Sequence, residues 1–181
     1  MPKGILKLIE VQEITSPVAD IKFLNFGPPN FDYYLLQWIG VTCGTTNQQL
    51  IAHITNDGGA TWEEGAAYGY GGRGLQSSGS ATSSNSANET EIRASHGGNI
   101  DTLGFSGEMV LFDPTGITAG QTTTVMTIGM SSSTVVDVVT EWESSSGVDE
   151  TAGGGPYDGI RFKFFVGNID TGRFRLYGVD R

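Results

Sequence analysis

Short apolar runs rich in β-branched and aromatic side chains recur along the whole chain between clusters of Gly, Pro, Asn and Ser, and that rhythm admits little except β-strands. The runs fall at residues 4–13, 20–26, 33–43, 49–55, 89–94, 106–112, 122–130, 134–143, 159–166 and 173–179. No useful window carries the i, i+3, i+4, i+7 stripe of an amphipathic helix, and the Gly and β-branched content penalises one. Several runs alternate: Lys22, Leu24 and Phe26 oppose Ile21, Phe23 and Asn25, and Ile160, Phe162 and Phe164 oppose Arg161, Lys163 and Phe165. Strands that each bury one face, with no helices to cover a sheet, pack as two sheets face to face. The expected fold is all-β: a two-sheet antiparallel β-sandwich, jelly-roll-like, forming one domain over residues 1–181. At 181 residues a chain buries roughly 70% of the surface that its unfolded form exposes, enough for a core of its own.

Two stretches break the rhythm. Residues 65–88 are dominated by Gly and Ser, with Tyr68, Tyr70 and Leu75 among their few large apolar side chains; they read as a long projecting loop. Residues 144–158 hold a second glycine run ending in Pro156, which cannot continue a central strand. Trp62, Tyr68, Tyr70, Trp142 and Tyr157 lie at or near these stretches. Loop aromatics of this kind stack on sugars or partner proteins, or else plug the ends of a sandwich. The contact candidates are therefore Tyr68, Tyr70, Leu75, Trp142 and Tyr157, with the 65–88 loop ordering on a partner.

A formal charge of -10, from 20 acidic and 10 basic residues, repels phosphate backbones and anionic headgroups and argues against nucleic acid and bare membrane as partners. The single cysteine, Cys43, excludes an internal disulfide and reads as a structural thiol. Residues 1–11 contain no uninterrupted apolar stretch followed by a small-residue cleavage site, so they do not read as a signal peptide.

The sharpest local motif is Thr55-Asn56-Asp57-Gly58-Gly59-Ala60-Thr61-Trp62, in which Asp, Gly and Thr at these offsets can tie a tight turn through side-chain to backbone hydrogen bonds. It resembles the Asp-box hairpin of sialidase propeller blades, but one box without a blade repeat predicts a structural hairpin and no glycosidase. Glu141 and Glu143 share one strand face about 7 Å apart, a spacing that sugar hydrolysis uses and that any strand with acids at i and i+2 also produces. His53 and His96 lack the companions of a zinc or nucleophilic site. Asp149, Glu150 and Asp158 flank the second glycine run without an ordered calcium-loop pattern. The expectation is no catalytic residue, no metal and no cofactor.

Three segments in order, Phe31-Asp32-Tyr33-Tyr34-Leu35-Leu36-Gln37-Trp38-Ile39-Gly40-Val41, Asp57-Gly58-Gly59-Ala60-Thr61-Trp62 and Gly167-Asn168-Ile169-Asp170-Thr171-Gly172-Arg173-Phe174-Arg175-Leu176-Tyr177-Gly178-Val179, resemble small β-sandwich virion structural proteins of tailed bacteriophages. In those proteins a paired-aromatic strand opens the sandwich, a hairpin follows, and a G-x-[FR]-x-L-Y-G strand closes it. Within the closing segment, Gly167 and Gly172 are expected to bracket a turn at residues 168–171, with Phe174, Leu176 and Gly178 on one face. The resemblance implies a homotrimer that is made in the host cytoplasm and carried on the virion, in contact with the major capsid protein or other virion proteins. It implies a capsid decoration (cement) protein, an expectation supported by a short chain without a coiled-coil shaft. The alternative is a tail fibre or receptor-binding, lectin-like module recognising a host surface glycan.

Overall fold

The computed structural model describes residues 5–24, 26, 31–45, 48–75, 81–95, 104–112, 122–131, 140–149 and 156–180. Twelve strands carry them: β1 (Ile5–Ile14), β2 (Ile21–Phe23), β3 (Tyr33–Cys43), β4 (Leu50–Thr55), β5 (Tyr68–Leu75), β6 (Ala81–Glu89), β7 (Ile92–Arg93), β8 (Phe105–Phe112), β9 (Thr122–Ser131), β10 (Thr140–Asp149), β11 (Gly159–Phe164) and β12 (Ile169–Asp180). The protein is an all-β sandwich with no helix among the described residues.

The larger sheet runs β1-β12-β3-β8-β9-β10-β5-β6 and the smaller β2-β11-β4-β7, with every pairing antiparallel. Setting aside the consecutive pairs β5–β6 and β9–β10 leaves eight strands. In chain order these stand first-eighth-third-sixth in one sheet and second-seventh-fourth-fifth in the other, which is the two-Greek-key order of a jelly roll. The two extra pairs are inserted between β4 and β7 and between β8 and β11. They join each other through β10 and β5 and widen the larger sheet.

Strand alternation selects the core. Tyr34, Leu36 and Trp38 of β3, Met109 and Leu111 of β8, and Phe174 and Leu176 of β12 turn inward, against Ile160, Phe162 and Phe164 of β11 and Ile54 of β4. Trp38 lies 5.6 Å from Phe105 and 5.7 Å from Phe162, and Phe162 lies 5.6 Å from Phe174, so aromatic rings bridge the two sheets. Each such ring contributes about 1.5–3 kcal/mol by burial, before the pair geometry is counted. Gly178 shares the inward face with Phe174 and Leu176, as expected. A Cβ there would come within 2.3 Å of Phe31, so that ring occupies the space a side chain would need. Cys43 is buried, and its thiol faces the Val166 carbonyl at 3.7 Å.

Three expectations need correction. Residues 65–88 are not a projecting loop. Tyr68–Leu75 and Ala81–Glu89 are strands, one paired with the other and the first also with β10, because backbone ladders form without apolar alternation when a neighbouring strand supplies the partner groups. Residues 144–149, likewise read as loop, complete β10. The turn expected at 168–171 is displaced: Gly167, at φ 96°, makes the bend, and β12 starts at Ile169 with register shifts on both sides of Thr171.

Candidate functional site

The Asp57 motif closes as its residue types predict. Thr55, the last residue of β4, donates its hydroxyl to Asp57 Oδ1 at 2.7 Å and accepts the Gly59 N–H at 3.1 Å. Asp57 accepts the Thr61 N–H at 2.9 Å and the Thr61 hydroxyl at 2.6 Å. Gly58 and Gly59 sit at φ 69° and 84°, left-handed positions where glycine carries no steric cost. The Gly58 N–H reaches across to Asp158 Oδ2 at 2.9 Å. Donation from the Thr61 side chain and backbone, then from Thr55, holds the Asp57 carboxyl down to about 2, so it is an anion committed to the turn. The return limb is pinned by Glu63 N–H to Ile54 C=O, and the segment leading into β11 by Asp158 N–H to Thr55 C=O, both at 2.9 Å.

Behind this turn, on the outer side of the smaller sheet, Arg161 of β11 pairs with Glu64 and reaches His53 Nδ1 at 3.3 Å. Its guanidinium lies 4.9 Å from the centre of the Trp62 ring, a cation–π stack. Burial, followed by the charge of Arg161, depresses His53 to about 4. The ring is therefore neutral at physiological pH, with Nδ1 assigned as acceptor and the other nitrogen facing the Thr90 backbone. The hydrogen bond from Arg161 keeps Glu64 below the usual carboxylate range. These groups clasp the 56–67 segment to the sheet, and their protonation states are fixed by one another.

Between turn and clasp lies a recess of about 270 Å³. Ile54, Thr55 and Tyr157, all buried, form its floor; Asn56, Thr61, Trp62 and Glu63 form its walls. It is preorganised, since each limb that bounds it is tied by the hydrogen bonds above. Tyr68 reinforces it from below, donating to the Glu63 carbonyl at 2.8 Å while its oxygen faces the Ile54 N–H at 3.4 Å.

A second feature covers the outer face of the larger sheet, where cross-strand register builds rows. Leu6, Val179, Tyr33 and Phe112 stand side by side on β1, β12, β3 and β8, and Leu8, Tyr177, Leu35 and Val110 form the next row. Leu6 is 52% exposed, Leu8 51% and Phe112 41%, whereas Val179 is buried; Tyr33, Leu35, Val110 and Tyr177 are half-buried. Four strands span about 14 Å and two rows about 7 Å. The next row, Val11-Arg175-Gln37-Glu108, is polar apart from Val11, and is followed by Glu13, Arg173 and Ile39. Gln37 donates to Glu108 at 3.4 Å, and Arg173 pairs with Glu13 at 2.8 Å. The solvated face of an antiparallel sheet ordinarily carries polar residues, and these two adjoining apolar rows depart from that pattern.

Of the sequence-predicted contact residues, Tyr157 lies in the floor of the recess and none lies in the outer rows. Tyr68 and Tyr157 are 1% and 3% exposed; they plug the sandwich and are not contact residues, and burial pushes the Tyr68 phenol up. Tyr70, Leu75 and Trp142 lie on β5 and β10, and their side chains, like those of Glu141, Glu143 and Asp149, lie outside the described residues, as do His96 and Glu150. Asp158 serves the turn. Sequence reading missed the outer rows, although Leu6 and Leu8 alternate with Lys7 within β1 and β3 sets Tyr33 and Leu35 opposite its core residues. It also missed Arg161 and Glu64, which converge only through long-range pairing.

Fold and surface together define a jelly-roll sandwich with an apolar sheet face and a small rigid recess at one end. No family model, no curated protein and no solved structure matches the chain.

Proposed function

We propose that this protein is a non-enzymatic structural subunit of a bacteriophage virion, a capsid decoration protein that assembles with copies of itself and holds onto the head. The observation that carries the reading is the pair of apolar rows on the outer face of the larger sheet. A chain with net charge -10 is repelled by its own copies unless the contact brings cations to the anions. Two of its ten basic residues, Arg173 and Arg175, border the rows beside Glu13 and Glu108. Such a border offers a second copy both signs, which makes the surface self-complementary. The resemblance of residues 31–41, 57–62 and 167–179 to small phage virion proteins supports the virion setting and a trimer.

The charged groups nearest the recess are engaged in structural roles, which favours assembly over catalysis. Quantitative mass spectrometry of purified particles tests the proposal. A decoration protein is present at a stoichiometry comparable to the major capsid protein, whereas a tail-like copy number, or absence from particles, overturns it.

A further inference from the structure

We propose that the recess walled by Asn56, Thr61, Trp62 and Glu63 binds a neutral saccharide ring. Its volume, about 270 Å³, lies just below the range of pockets for drug-sized ligands and suits one or two sugar rings. Its lining combines what a sugar requires. Trp62, half-buried at the wall, supplies flat apolar surface for the C–H face of a pyranose. The Asn56 amide and the Glu63 carboxylate can both meet ring hydroxyls, the amide as donor or acceptor and the carboxylate as a charge-assisted acceptor. The Glu63 side chain is aimed by one oxygen, which accepts the Gly65 N–H at 2.8 Å.

Charge rules out the competing chemistries. The recess is lined by one carboxylate and no cation, with the Asp57 anion in the adjoining turn, so phosphate or sulfate is repelled. A cationic amine would have to share the Trp62 ring with the Arg161 guanidinium already stacked on it, placing like charges on one π-system. A wholly apolar ligand would bury the Glu63 carboxylate without water. A neutral polyhydroxylated ring satisfies all three constraints, and the rigid turn holds the walls in place before the ligand arrives, which lowers the entropy cost of binding.

Saturation-transfer-difference NMR and titration calorimetry on the full chain test this with glucose, galactose, mannose, N-acetylglucosamine and their common disaccharides, and with tetramethylammonium as the cationic probe. At least one saccharide is expected to bind in the millimolar range. Trp62→Ala and Asn56→Ala are each expected to weaken it about tenfold, and Phe165→Ser, beyond the other end of β11, to leave it unchanged. Because Trp62→Ala also removes a partner of Arg161, Glu63→Gln provides a milder variant that keeps the oxygen facing Gly65 and is expected to weaken binding without moving the melting temperature. Failure of every saccharide to bind, binding that survives all three recess variants, or tighter binding of tetramethylammonium overturns the proposal.

Discussion

Replacing Phe162 by alanine removes the ring on which the two sheets meet. Phe162 is fully buried, stacked 5.7 Å from Trp38 of β3 and 5.6 Å from Phe174 of β12. Its backbone stands in register between Ile21 of β2 and Ala52 of β4. Truncating a core Phe to Ala costs about 3–5 kcal/mol, and the cost is highest where the surroundings cannot collapse into the cavity. Ladders on both sides of β11 prevent that collapse, so a value near the top, about 4–5 kcal/mol, is expected. For a domain of this size each kcal/mol moves the melting temperature by roughly 2–4 °C, giving a fall of about 8–20 °C. Against the usual native stability of about 5–15 kcal/mol, the variant stays folded unless the parent lies at the bottom of that range. Urea unfolding followed by tryptophan fluorescence reads the loss as a lower midpoint with an unchanged slope. The matched control is Phe165→Ala, three residues on and 64% exposed, which should stay within about 0.5 kcal/mol of the parent. If Phe162→Ala costs less than about 1.5 kcal/mol, or no more than the control, the sheets do not pack through this ring and the core described above is wrong.

Three further outcomes follow from named positions. Gly172→Ala places a Cβ at φ 139°, 2.8–2.9 Å from Val41 atoms including its Cα; a loss of about 1–3 kcal/mol in urea unfolding is expected, and a neutral result would refute the β3–β12 approach. Tyr68→Phe deletes the hydroxyl shared by the Ile54 N–H and the Glu63 carbonyl and should cost about 1–3 kcal/mol, whereas a surface contact residue would show none. His53 has its folded pKa lowered from 6.5 to about 4, so between those values the unfolded chain binds the extra proton. Its contribution to stability is complete above pH 6.5 and is lost as pH falls towards 4; thermal melts across that window should show the decline, and His53→Asn should flatten it.

Where alternation was strong, the fold could be read directly. Tyr33–Cys43 is a strand over the same residues that its aromatic and β-branched run predicts, and Ile160, Phe162 and Phe164 face inward as their spacing requires. The turn around Asp57 was legible because Asp, Gly and Thr carry their own local hydrogen bonds. The Gly and Ser strands β5 and β6 were not, since their pairing with β10 and with each other lies in the backbone and leaves no side-chain period to detect. Tyr68 looked like a loop anchor for the same reason: without β5, nothing in its neighbourhood signals burial. The recess was illegible because its floor and walls come from β4, the return limb and residue 157, brought together by β11 pairing with β4. The outer rows were half legible, as apolar residues on a second face of β1 and β3, but their union into one surface depends on four-strand register.

Sedimentation velocity over a range of protein concentrations tests most directly the proposed assembly through the outer face of the larger sheet. The parent chain is expected to sediment as an oligomer, with a trimer implied by the virion resemblance. A double substitution, Leu8→Asp with Leu35→Asp, both in the second apolar row, should yield the 19.2 kDa monomer with the β-rich circular dichroism of the parent retained. A parent that stays monomeric at every concentration, or a double variant that still assembles like the parent, would contradict it.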